Sequence, residues 1–367
     1  MLTVMPDMRV VIAGGGTGGH IIPAIAIANE LRASFGAKIL FIGTPRGLES
    51  RLVPQAGYEL SLIKVGQLKN VSVMTKVRTL VDLPLSLFRC RALMRRFRPH
   101  AVIGVGGYAS GPAMAAAILD RVPTLAFEPN AYPGLANRLV GKFVGAAAIN
   151  FAAAAKYFRN PEITGIPVRE EFFHLPPRRT GAPLHLLVFG GSQGARILNT
   201  LLPQIASVLL DAVPGLTILH QAGGRHAEAT LAAYMASAAP SSRWQVYDFL
   251  DDMPRRFAAA DLVLCRSGAS TVAELAAAGK PSLLIPFPKA ADDHQRKNAE
   301  ALVEAGAARM ILEANLTREV LLDSVTGLLT NHSALEVMSA RAKTLAHPDA
   351  VRSIAELLLT LRRNAVK

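Results

Sequence analysis

Short runs of uninterrupted apolar residues alternate along the chain with longer stretches whose apolar positions recur at helical spacing. Arg9 to Ala13 (RVVIA) reads as a buried strand, followed by the glycine turn Gly14 to Gly19 and an apolar helix, Ile21 to Leu31, with Pro23 near its first turn. The same unit returns one domain length later: Leu184 to Phe189 (LHLLVF), then Gly190, Gly191, Ser192, Gln193 and Gly194, then a helix from Ala195 onward. Further strand-like runs are Lys38 to Gly43, Ala101 to Val105, Thr124 to Glu128, Leu216 to Gln221, Leu262 to Cys265 and Ser282 to Pro286, with helical stretches between them. This double βαβα alternation predicts the α/β class, as two Rossmann-like parallel-sheet domains. No apolar period survives in the Pro- and charge-rich stretch from Asn160 to Pro183, so the boundary is expected near Gly165. The expected division is a first domain over 1–164, a second over 165–345, and a terminal helix within 346–367 packing back on the first. Ligands of open α/β sheets bind at the carboxyl edges of the strands, which places the expected site in a cleft between two such edges.

Composition narrows the class. The 367 residues suffice for about two domains at roughly 150 residues each. The chain is 51% hydrophobic, yet its most apolar long segment, Val71 to Leu93, is interrupted by Lys76, Arg78, Asp82, Arg89 and Arg91, too many charges for a membrane-crossing helix. Cys90 and Cys265 lack disulfide-framework or metal-ligand spacing, in keeping with a reducing compartment. MLTVMPDMRVVIAGGG has no basic region followed by an apolar core and cleavage site, so a cytosolic location is the default expectation. Forty Lys and Arg against 27 Asp and Glu give a net charge of +13, which suggests an anionic partner: nucleic acid, a phosphorylated ligand or a membrane surface. With 6% aromatic residues and no recognisable nucleic-acid motif, no nucleic-acid partner is expected. The segment Val71 to Arg98 mixes seven Lys and Arg with apolar residues; it reads either as a helix lying on an anionic membrane surface or as a domain helix with a solvated basic face.

The glycine loops carry the candidate chemistry. Gly14, Gly16 and Gly19 satisfy G-x-G-x-x-G, but the second strand ends LFIGTP with no acid for ribose hydroxyls, which counts against NAD. His20, where this loop enters its helix, reads as a general base for an attacking hydroxyl or as a helix-start residue bonded to nearby backbone. In the second half, Ser192 and the adjacent N–H groups make a diphosphate cradle, or else GGSQGA serves close strand-to-helix packing. In CRSGASTVAE, a helix beginning around Ser270 or Thr271 carries Glu274 in its first turns, suited to accept both hydroxyls of a cis-diol such as ribose. Arg169 is placed to neutralise a departing nucleotide, while Gln295 and Asn130 suit sugar hydroxyls. The pairs Asp251/Asp252 and Asp292/Asp293 do not form the spaced D-x-D that chelates a metal on a nucleotide diphosphate, so neither metal nor cofactor is expected.

Taken in order, GGGTGGHIIPA (Gly14 to Ala24), GVGGYASGPAMAAA (Gly104 to Ala117), FEPNAYPGLANR (Phe127 to Arg138), GIPVR (Gly165 to Arg169), GGSQGARILN (Gly190 to Asn199), FLDDM (Phe249 to Met253), CRSGASTVAE (Cys265 to Glu274) and DDHQRKNA (Asp292 to Ala299) resemble the MurG family of peptidoglycan glycosyltransferases, over nearly the whole chain. The resemblance implies a GT-B fold and inverting transfer of N-acetylglucosamine from UDP-N-acetylglucosamine to the lipid-linked N-acetylmuramoyl-pentapeptide, at the cytoplasmic face of the bacterial plasma membrane. By the same resemblance Thr17, Gly18 and Gly19 lie at the cleft with the donor, and His20 or Glu128 takes the proton. Asn130, Arg169 and Ser192 contact the donor, the Leu250 backbone reads uracil, Ala269, Ser270, Thr271, Val272, Ala273 and Glu274 form the turn and ribose-binding helix, and Gln295 reads the sugar. The chain departs from the family pattern at Phe127 and Pro129, where His and Gln are usual, and at Ile166, where Asn is usual; altered loop packing or affinity is expected there. Two rivals share this fold, a UDP-sugar transferase acting on another lipid or natural product and a non-hydrolysing UDP-N-acetylglucosamine epimerase. GVGGYASGP and the Asn130 loop argue against the first, and the second would need no acceptor.

Overall fold

The computed structural model describes residues 8–65, 73–176 and 181–366. Val71, and the side chains of 73–81 with Lys76 and Arg78 among them, lie outside the described residues. The chain divides into two compact units, 1–167 with 349–367, and 168–348. Thirteen strands are described: β1 (Arg9–Ala13), β2 (Lys38–Gly43), β3 (Glu59–Leu62), β4 (Ala101–Gly104), β5 (Thr124–Glu128), β6 (Ala146–Ile149), β7 (Pro161–Ile163), β8 (His185–Phe189), β9 (Thr217–Gln221), β10 (Trp244–Tyr247), β11 (Leu262–Cys265), β12 (Ser282–Leu284) and β13 (Ala308–Met310).

In the first unit the strands form one parallel sheet in the order β3-β2-β1-β4-β5-β6-β7. Ile12 of β1 sits opposite Phe41 on one side and Ile103 on the other. Val10 through Ala13 are fully buried, as are Ala101 to Ile103, because crossover helices cover both faces of a parallel sheet. The helix Ala350–Val366 packs on β5, β6 and the helix Gly18–Phe35, burying Ile354, Ala355 and Leu358. That return of the chain is why 349–367 join the first unit.

The second unit repeats the plan with six parallel strands, β10-β9-β8-β11-β12-β13. Leu198, Leu202 and Leu209 of the helix Arg196–Ala212 pack against Leu186 and Val188 of β8 and Leu262 and Leu264 of β11. Tyr234 stacks on Trp244 with ring centroids 4.9 Å apart, closing the core beside β10.

Several boundaries differ from the sequence reading. The first helix begins at Gly18, not Ile21, because Gly18, Gly19 and His20 supply its first turn although glycine is a poor helix former. Part of the stretch read as a linker is the edge strand β7, whose leading Pro161 suits an edge because it has no N–H to donate. Ile12→Ala is expected to destabilise the first unit by about 2–5 kcal/mol, read from the urea midpoint and slope; a shift under about 1 kcal/mol would contradict the central place of β1.

Candidate active site

Both glycine motifs fall where strand order reverses. In the first unit this point lies between β1 and β4, and the loops beyond them are joined: the Gly15 N–H donates to the Gly106 carbonyl at 3.2 Å, and the Gly14 N–H to Ile42 at 3.0 Å. Thr17, extended and exposed, precedes the helix Gly18–Phe35 without capping it through its hydroxyl. The N–H groups of the first helical turn, including those of Gly18 and Gly19, have no intrahelical acceptor and form an anion-facing end. His20 is half-buried, its ring packed on Gly106; a Cβ at Gly106 (φ +87°) would stand 3.0 Å from Cε1 and 3.2 Å from Nδ1. Only glycine admits the ring in that place.

Glu128 ends β5 and is 1% exposed. One carboxylate oxygen accepts the Asn130 N–H (3.0 Å) and side-chain Nδ2 (3.1 Å); the other accepts the Gly134 N–H (3.1 Å) and Asn137 Nδ2 (3.0 Å). Burial raises this carboxyl above its ordinary value, and the four donors oppose that shift. With four donors on two oxygens the acceptor capacity of the group is filled. Glu128 thereby shapes the loop that holds Asn130, whose side-chain amide donates to it. Phe127 and Ile166, two of the departures from the family pattern, are buried apolar residues.

In the second unit the order reverses between β8 and β11. Ser192 is exposed in a turn closed by the Gly194 N–H on the Gly191 carbonyl (2.9 Å), and the helix that follows begins at Arg196. Beyond β11, Gly268 precedes the helix Ala269–Ala278, whose first N–H groups, at Ala269, Ser270 and Thr271, form a second anion-facing end. Val272 is buried and Ala273 half-buried on this helix. Glu274 is half-buried; burial pushes its carboxyl up to about 7, and the Arg169 guanidinium pulls it down. The same negative charge adds to burial in raising the Cys265 thiol. Arg169, exposed, lies over the ring of Phe172, which packs edge-on against Phe257 with centroids 5.1 Å apart. The structure thus brings the Arg169 guanidinium within electrostatic reach of Glu274 on this helix.

Gln295 is held by a network that runs to Ser267, in the turn before the helix Ala269–Ala278. Its side-chain oxygen accepts the Phe287 N–H (3.0 Å), which turns its NH2 group away from that contact. Its carbonyl accepts from buried Ser267 Oγ (2.8 Å), and Asn298 Nδ2 donates to the Ser267 carbonyl (3.2 Å). Arg266, also buried, donates to the Ile285 and Pro286 carbonyls and pairs with Glu313 at 2.6 Å, fixing the loop beyond β12. Ser267 and Asn298 were recognisable only as members of their motifs, not by role. Leu250 is buried in the loop beyond β10, which the Gln221 amide ties down through the Asp248 carbonyl (3.0 Å).

Two family models match: the glycosyltransferase family 28 N-terminal domain over residues 10–149 and its C-terminal domain over residues 185–354. The chain belongs to glycosyltransferase family 28. It is 44% identical over 354 residues to a UDP-N-acetylglucosamine--N-acetylmuramyl-(pentapeptide) pyrophosphoryl-undecaprenol N-acetylglucosamine transferase of Solibacter usitatus, covering 96% of each chain. A protein of the same name from Syntrophus aciditrophicus is 42% identical, with 97% of this chain and 99% of the other covered. Among solved structures, Acinetobacter baumannii MurG superposes with a TM-score of 0.83 at 32% identity, over 96% of this chain and 99% of that one. The resemblance to the MurG family read from the motifs is borne out, as are the two Rossmann-like domains of the GT-B class.

The raised Glu274 carboxyl carries a stability cost with a defined sign. The folded state favours the protonated form, so the contribution is fully present below the ordinary value near 4.5 and is lost as pH rises through about 7. Glu274→Gln is therefore expected to melt like the parent at pH 4 and at higher temperature at pH 8, by on the order of 1–2 kcal/mol; an equal melting difference at both pH values would contradict the assignment.

Proposed function

We propose that the chain transfers N-acetylglucosamine from UDP-N-acetylglucosamine to the C4 hydroxyl of undecaprenyl-pyrophosphoryl-N-acetylmuramoyl-pentapeptide, with inversion, in peptidoglycan synthesis. The observation that carries this reading is the grouping of Glu274, Arg169 and a helix N-terminus in the second unit of a family 28 chain. The Glu274 carboxylate accepts the two ribose hydroxyls. The N–H groups at Ala269 to Thr271, Arg169 and Ser192 hold the diphosphate and offset the charge that grows on UDP as the glycosidic bond breaks. The Leu250 backbone reads uracil, and the oriented amide of Gln295 donates to sugar hydroxyls. Thr17, Gly18, Gly19 and Asn130 complete the substrate contacts. His20 takes the proton from the attacking C4 hydroxyl, an imidazole where the glycine loop enters its helix being suited to general-base work near neutral pH, with Glu128 as the alternative base. The oxygen attacks the anomeric carbon from the side opposite UDP, and a single displacement inverts that centre.

The acceptor's polyprenyl chain stays in a bilayer, and the first unit offers a surface for it. Leu85, Phe88, Leu119, Leu139 and Phe143 are exposed, Phe88 and Phe143 by 64% and 67%, and the neighbouring residues in sequence Arg89, Arg95, Arg96 and Lys142 are exposed too. Among the described residues no helix is long and apolar enough to cross a membrane. Apolar side chains framed by cations suit peripheral contact with an anionic leaflet, here the cytoplasmic face of the plasma membrane.

Acceptor-dependent UDP release with a new disaccharide, measured with a short-chain acceptor analogue, tests the reaction; donor binding without such product would refute it. His20→Ala is expected to lower kcat by about 10²–10⁴-fold while the UDP-N-acetylglucosamine Kd stays within about twofold. Replacing Phe88 and Phe143 together by Glu should weaken cosedimentation with vesicles rich in phosphatidylglycerol at least about tenfold, since each ring contributes about 1.5–3 kcal/mol on burial. Unchanged cosedimentation would move the membrane contact elsewhere.

A further inference from the structure

The second strand of the first unit lacks the terminal acid of a dinucleotide site, yet an acid follows a few residues later and is turned inward. Glu49 opens the short helix Glu49–Gln55 and is 1% exposed. Its Oε2 accepts the Gly16 N–H at 2.6 Å, and its Oε1 accepts both the N–H and the hydroxyl of Thr44 at 2.9 Å. Glycines make room for it: a Cβ at Gly47 would stand 1.9 Å from Oε2, and one at Gly15 2.5 Å from the carboxyl carbon.

We propose that Glu49 is a positioning residue for acceptor engagement, its carboxylate serving as the internal anion of the first glycine loop. The N–H groups of Gly14, Gly15 and Gly16 are all taken by internal acceptors, Ile42, Gly106 and Glu49. The outward-facing part of the loop therefore begins at Thr17 and runs through Gly18 and Gly19 to His20. A dinucleotide fingerprint leaves its early loop free for a pyrophosphate and sends its acid to the ribose. Here the acid holds the loop in shape before any ligand arrives, so the helix start and the His20 ring are presented without reorganisation. A charge-assisted bond at 2.6 Å from a buried carboxylate is suited to that task.

The inference rests on the transferase reading for its kinetic consequence, and the isosteric change Glu49→Gln tests it. Thr44 supplies two donors to one oxygen, so the Gln oxygen stays with Thr44 and its NH2 confronts the Gly16 N–H. With the full chain, Glu49→Gln is expected to keep the UDP-N-acetylglucosamine Kd within about twofold, to lower acceptor kcat/KM at least about tenfold, and to speed hydrogen exchange at Gly16. Gly47→Ala, which displaces the carboxylate without removing it, is expected to do the same and decides the matter if Glu49→Gln does not fold. A folded variant with parental acceptor kcat/KM and parental exchange at Gly16 overturns the proposal, as does an equal loss of donor affinity. Absence of acceptor-dependent UDP release from the parent protein would instead refute the transferase reading, while the exchange measurement still reports on the loop.

Discussion

A parallel sheet whose strand order reverses at one point opens a crevice at the carboxyl ends of the two strands that flank it, and backbone N–H groups converge there from the loops on either side. In each unit this crevice is where the glycine loop lies: beyond β1 and β4 in the first, beyond β8 and β11 in the second. Everything else in each unit supports that arrangement. The covered faces of the sheet, with Val10 to Ala13 and Leu262 to Cys265 wholly buried, fix the strand ends. Fixed strand ends in turn fix which N–H groups point inward and which remain for a ligand.

The two units meet the same demand for anions differently. In the first unit buried carboxylates occupy the N–H groups nearest the sheet: Glu49 under the glycine loop and Glu128 inside the loop from Asn130 to Asn137. Glu128 accepts four donors and Glu49 three, all from the loops they organise. In the second unit the helix end at Ala269 follows Gly268, which has no side chain to cap it, and the acid further along that helix, Glu274, has a raised carboxyl that Arg169 partly offsets. A saturated carboxylate stabilises its loop, whereas an undersaturated one is available to ligand hydroxyls.

Much of this architecture was legible in the chain because buried parallel strands are continuous runs of branched apolar residues. RVVIA, KILFIG, TLAFE and LVLC coincide with β1, β2, β5 and β11 to the residue. AAAI was not recognised as β6, since alanine favours helices and only its place between β5 and β7 makes it a strand. The short β7, β10 and β13 lack a sufficient run for the pattern to register, and β3 presents polar ELSL at a sheet edge. The site was legible as motifs but not as roles. Glu128 and Glu274 look alike in sequence, each a Glu at the end of an apolar strand or early in a helix. What separates them is the number of donors on each carboxylate, which depends on Asn137 and Gly134 folding back over Glu128.

That distinction also sets what a ligand's hydroxyls would contribute at Glu274. Ionising Glu274 must overcome burial, which raises its carboxyl to about 7, with the exposed Arg169 guanidinium opposing that rise. Two ribose hydroxyls would supply the missing donors, and their contribution would be greatest for a carboxylate that nothing else satisfies. Internal donors on Glu274, like those on Glu128, would ease its ionisation and leave fewer acceptor positions for a ligand's hydroxyls. On the proposed reading of Glu274 as the ribose-binding acid, the cost of burying it and the gain from two diol donors are one quantity, viewed before and after a ligand binds.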